Sequence, residues 1–109
     1  MIRYYDPYGG EISLREWSDM FEKRHKGDSS WWRVGETKIT DDVKVSTVWI
    51  GLDHRFGTDG PPLIFESMVF GGPMDGEMRR YSSWSEAQEG HEELVALVEL
   101  DLHVSDHPV

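Results

Sequence analysis

Lys44–Gly72, KVSTVWIGLDHRFGTDGPPLIFESMVFGG, sets two strand-like segments on either side of a turn rich in Gly and Pro. Residues 44–53 alternate as a strand does, with Val48, Ile50 and Leu52 on one face and Val45, Thr47 and Trp49 on the other. After a loop over 55–62, residues 63–70 are apolar on both faces, the composition of a central strand. The two segments are therefore expected to pair as the middle of a sheet. Glu66 is the one charge between Leu63 and Phe70. A carboxylate there needs a partner or a raised pKa, because an unpaired buried charge is costly.

Working outward, residues 31–40 form a further strand of bulky and β-branched side chains, closed by a turn at Asp41-Asp42. Downstream, Gly71-Gly72-Pro73-Met74-Asp75-Gly76 is a tight connection. It has neither the G-x-G-x-x-G spacing of a dinucleotide loop nor the Lys-Ser/Thr of a phosphate loop. Residues 77–81 make a shorter, more polar strand suited to an edge.

A helix flanks each end. Residues 1–12 are a lead-in with a turn at Asp6-Pro7-Tyr8-Gly9-Gly10. Ser13 and Glu16 have capping-box spacing, and Ile12 with Trp17 fits a hydrophobic staple. Leu14, Trp17, Met20 and Phe21 share one side, Asp19–Lys23 and Glu22–Lys26 are i,i+4 pairs, and Gly27 suits the position past the end. Ser83 and Glu86 repeat the capping spacing before a second helix. Its apolar arc is Trp84, Ala87, His91, Leu94, Val95 and Val98, and its outer side carries Glu86, Glu89 and Glu93. Gly90 weakens it by roughly 1 kcal/mol relative to Ala. Residues 100–104 alternate, as a short strand or a fraying end would, so residues 100–109 are expected to be a tail. The order is α-β-β-β-β-α. It predicts an α+β fold, a four-stranded, mainly antiparallel meander sheet with an N-terminal and a C-terminal helix.

With 109 residues the expectation is one domain over 1–109. At 38% hydrophobic the chain is too apolar to be disordered. It has no cysteine, which excludes a disulfide framework, a zinc-thiolate site and a thiol nucleophile. No segment nears the roughly 18 apolar residues of a membrane span, and Met1–Asp6 lacks a signal-peptide core, so a cytoplasmic protein with no membrane association is expected. The net charge of −10 is lopsided: residues 1–55 hold nine Lys/Arg against ten Asp/Glu, and residues 56–109 two against eleven. Such a field repels nucleic acid and draws in a basic protein surface.

Several constellations carry chemistry. If Leu52 lies opposite Leu63, Trp49 faces Glu66, and Asp53 and His54 follow; a cation or a base-bearing ligand suits that group. The simpler alternative is that Glu66 faces solvent or pairs with an arginine such as Arg79. His91 is either a ligand or a hydrogen-bonded core histidine, and His91-Glu92-Glu93-Leu94-Val95 ends in Val where a metalloprotease helix needs its second His. Asp101, His103, Asp106 and His107 have ligand chemistry at the terminus, but no metal and no cofactor is expected. Trp31 and Trp32 are adjacent, so in a strand they point to opposite faces and one is at least partly exposed; Trp84 is another exposed candidate.

In KVSTVWIGLDH, PPLIFESMVFGGPMDGE and the Tyr-Ser-x-x-x-Glu-Ala-x-x-Gly-His segment from Tyr81 to His91, the chain resembles a family of short, uncharacterised proteins encoded by bacteriophages and prophages. The likeness covers most of residues 10–98. It implies a phage accessory role in host takeover, defence evasion or replication support, inside the host cytoplasm, and carries over no catalytic residue. The resulting expectation is a non-enzymatic protein that inhibits or redirects a host protein with a basic surface. Glu86, Glu89 and Glu93 would supply the acidic face and the exposed tryptophans would supply anchors. The alternative is an oligomeric binder of a nucleotide-like signal, its pocket lined by Trp49, Asp53, His54 and Glu66, with Arg55, Arg79 or Arg80 on phosphate. An enzyme using Glu66 as base with His54 ranks third.

Overall fold

The computed structural model describes residues 2–53 and 60–106. Nine elements follow in order: β1 (Arg3–Tyr5), β2 (Glu11–Ile12), α1 (Leu14–Lys23), β3 (Arg33–Thr40), β4 (Val43–Trp49), β5 (Leu52–Asp53), β6 (Phe65–Phe70), β7 (Met78–Tyr81) and α2 (Trp84–Asp106). The fold is α+β with two antiparallel sheets, one of order β3-β4-β6-β7 and a small one of order β2-β1-β5.

The central pairing is present: β4 lies against β6 from Lys44↔Phe70 to Trp49↔Phe65. Several expectations need correction. First, the strand starting at Lys44 does not run to Asp53. It ends at Trp49, where Ile50 and Gly51 both donate to the Ile64 carbonyl, and Gly51 takes φ +71°, a turn that side-chain-bearing residues rarely make. Leu52-Asp53 then leaves the main sheet and pairs with β1. Second, the lead-in is itself two strands, joined by a turn in which Asp6 Oδ1 accepts from the Tyr8 and Gly10 amides. Third, residues 100–104 are helical, because α2 continues to Asp106 and Leu102 packs on the core.

Both helix starts follow local chemistry. Ser13 Oγ accepts from the Glu16 amide at 3.1 Å and donates to Glu16 Oε1 at 3.2 Å. Ser83 Oγ accepts from the Glu86 amide, while Glu86 Oε2 reaches back to the amide and hydroxyl of Ser82. On α1, Trp17, Met20 and Phe21 pack inward but Leu14 is 57% exposed, so the expected apolar face is one residue narrower.

The buried face of the main sheet is built in rows. Trp49–Phe65–Tyr81 is aromatic, Gly35–Thr47–Ser67–Arg79 is polar, and Thr37–Val45–Val69 leads into the aliphatic part. The core divides accordingly. Trp49, Ile64, Phe65 and Ala87 gather the aromatic side chains, with Trp17, Phe21, Trp31 and Trp84 around them; Val43, Val45, Val69, Leu94 and Val98 form the aliphatic cluster. The aromatic cluster also ties the small sheet down: Trp49 Nε1 donates to the Tyr5 carbonyl at 3.1 Å and Trp17 Nε1 to the Ile50 carbonyl at 2.9 Å.

The molecule measures 53 × 35 × 20 Å. The 20 Å dimension holds one sheet and one helix layer, since a helix with its side chains is about 10 Å across. Among the described residues no helix lies on the second face of the main sheet, and Phe70 and Met78 on it are exposed. Leu63–Phe70 is central in strand order but buried on one face only, which corrects the two-sided expectation.

Candidate functional site

The register settles the proposed ligand pocket. Trp49 pairs with Phe65 and Val48 with Glu66, so Trp49 and Glu66 lie on opposite faces of the sheet. Trp49 is 0% exposed, and its indole N–H is already used. Glu66 accepts from Arg80 Nε at 3.2 Å on the open face; the partner is Arg80 and not Arg79, which lies across from Ser67 on the other side. Asp53 belongs to β5 in the small sheet, and His54 and Arg55 lie outside the described residues. Trp49 and Glu66 are thus not brought together.

His91 is a hydrogen-bonded core histidine. Its ring crosses β3 at Gly35, where a Cβ would sit 2.9 Å from the imidazole. Nε2 meets Thr37 Oγ1 at 2.8 Å, Nδ1 meets Thr47 Oγ1 at 2.7 Å, and Thr47 continues to Ser67 Oγ. This chain of hydroxyls occupies both ring nitrogens and leaves neither for a substrate or a metal. Burial lowers the His91 pKa from its ordinary value, and the nearby Glu92 carboxylate opposes that shift.

Trp31 and Trp32 precede β3 and sit in a turn where the Trp32 and Arg33 amides both donate to the Ser29 carbonyl. Free of strand alternation, both rings turn to the same aromatic cluster, which corrects the opposite-face expectation. Trp31 stacks at 5.7 Å from Trp49, and Trp84 meets Phe65 edge-on at 5.8 Å. Sequence reasoning missed the arginines around Trp32. Arg24 lies 3.5 Å over Phe21 and 5.3 Å from the Trp32 ring, with Arg33 at 4.7 Å from the same ring. Desolvation lowers the Arg24 pKa from its ordinary value. Nothing in the spacing of Arg24 and Arg33 signals this stack, because it depends on how α1 docks.

The outer face of α2 is different in kind. Glu86, Glu89, Glu92 and Glu93 are all exposed. Glu86 is partly engaged by Ser82, whereas Glu89, Glu92 and Glu93 meet no cation among the described residues. The ion pairs among the described residues lie on the sheets and their turns: Arg33 and Lys44 with Glu36, Lys38 with Asp41, Arg80 with Glu66 and Arg3 with Glu11. None of these pairs includes a carboxylate of α2.

Among the described residues no group of three or more His, Asp or Glu side chains could hold a metal ion, and no helix is long and apolar enough to cross a membrane. Comparison of the chain with protein-family models, curated proteins and solved structures gave no match.

Proposed function

We propose that this chain is a non-enzymatic binding protein that engages a basic surface on a protein partner through the outer face of α2. The observation that carries this reading is the row of exposed carboxylates at Glu89, Glu92 and Glu93 with no cation against them among the described residues. A field of one sign speeds encounter with a surface of the other and disfavours like-charged partners. The phage-type resemblance gives the setting: an accessory protein acting in the host cytoplasm, where it inhibits or redirects a host defence or replication protein. The occupied nitrogens of His91 support a binding role over a catalytic one.

The test is capture of the partner from bacterial lysate with the tagged chain, followed by association kinetics on the purified pair. Reversal of Glu89 and Glu93 to Lys, and separately a rise in salt, should each slow association. Kinetics indifferent to both would remove the proposal.

A further inference from the structure

The acidic row does not end at Glu93. The exposed residues Glu86, Glu89, Glu93, Leu97, Leu100 and Val104 follow one another at steps of three and four, so they form a single stripe along α2. At 1.5 Å per residue the stripe is about 27 Å long. Its first half is carboxylate. Its second half is aliphatic and open to solvent, with Leu97 42%, Leu100 59% and Val104 61% exposed. Leu94, Val98 and Leu102 hold the opposite side of α2 against the sheet, so a rotation of the helix cannot bury the stripe without unburying the core.

Resting on the acidic-face reading above, we infer that this stripe docks one amphipathic helical segment of a partner protein, with Lys/Arg side chains against Glu86, Glu89 and Glu93 and apolar side chains against Leu97, Leu100 and Val104. Charge complementarity selects this occupant. A second copy fits badly in either direction. Parallel helices set Glu against Glu, and antiparallel helices press the carboxylates onto leucines with nothing to neutralise them. A membrane surface fits badly too. The apolar half is flanked by Glu93, Glu99 and Asp101, no Lys or Arg follows Arg80, and anionic lipid repels that charge.

The test uses three synthetic 21-residue helical peptides labelled for fluorescence anisotropy. The first carries Leu over one half of one face and Lys over the other half, the second carries the same residues alternating, and the third carries Lys throughout that face. The expected result is that the divided peptide binds at least about tenfold tighter than either other peptide, since the burial of even one leucine is worth that factor. Leu97→Ser with Leu100→Ser should erase that advantage and leave the all-Lys peptide unchanged. Both positions are exposed, so the fold should survive, and circular dichroism checks this. Equal binding of the divided and all-Lys peptides, lost on Glu89→Lys with Glu93→Lys, would overturn the stripe and leave the acidic-face reading standing. No binding by any peptide would overturn both. A dimer in sedimentation that the Leu variants dissociate, or co-sedimentation with phosphatidylcholine–phosphatidylserine vesicles, would give the stripe to a second copy or to lipid and overturn the inference.

Discussion

The two sides of α2 meet different surroundings. The inner side, Ala87, Gly90, His91, Leu94 and Val98, is buried against the sheet and changes character along its length to match the rows beneath it. The small residues Ala87 and Gly90 lie over the aromatic end, His91 over Thr47 and Ser67, and Leu94 and Val98 over the valines. The outer side changes character too, from Glu to Leu, but nothing among the described residues matches it. The inner side accounts for how α2 is held, and the outer side is the one on which the proposed recognition rests.

That contrast can be broken by substitution, and the largest effect should come from the aliphatic end. Leu94→Ala should lower the free energy of unfolding by about 2–5 kcal/mol in urea denaturation, the span for a buried Leu that leaves a cavity. A loss no larger than that of an exposed residue would mean that α2 is not held by this row. Next comes Gly90→Ala. In an open helix it would add roughly 1 kcal/mol of stability. Here a Cβ would run into the Tyr81 ring, so the substitution should instead cost about 1–3 kcal/mol. The sign of the change alone decides how closely α2 lies on β7.

A pH titration sharpens the polar row. The folded pKa of His91 is lowered, so over that range the unfolded chain binds more protons than the folded one and stability rises with pH. The contribution is complete above the ordinary histidine value of about 6.5 and is lost as pH falls below it toward the folded pKa. Chemical unfolding between pH 7 and 5 should show this slope, and His91→Asn should flatten it. An unchanged slope in the variant would assign the dependence to another group. The smallest effect on stability belongs to the outer side. Glu89→Lys and Glu93→Lys should shift unfolding by no more than about 0.5 kcal/mol while slowing association. A large destabilisation would show that the outer face serves the fold and not a partner.

How far these features could be read beforehand depends on how far apart the interacting residues are. The Ser13 and Ser83 caps were readable because each interaction spans three residues. The neighbouring of β4 and β6 was readable because their apolar composition admits little else. The facing of Glu66 was not. Setting Leu52 opposite Leu63 assumes an unbroken strand, and the turn at Gly51 removes Leu52 from the sheet and changes the register. One residue of offset puts Trp49 and Glu66 on opposite faces. The small sheet was hidden for another reason: its strands are two or three residues long, and β1 pairs with a segment almost fifty residues away. The alternation of Leu100, Leu102 and Val104 resembled a strand. On a helix those residues instead divide into one that faces the core and two that face solvent.

The amino-acid order alone determined the helix starts, the approximate place of the four main-sheet strands, the absence of thiol chemistry and the concentration of negative charge in residues 56–109. Those properties follow from composition and from contacts within a few residues. Only the tertiary structure decided which side of a strand each chemical group occupies, that the hydroxyls of Thr37 and Thr47 take both nitrogens of His91, and that carboxylates and leucines share one uncovered stripe. Strand side chains alternate with a period of two, so a single step in register exchanges inside for outside, and that step is fixed by turns and packing across the whole domain.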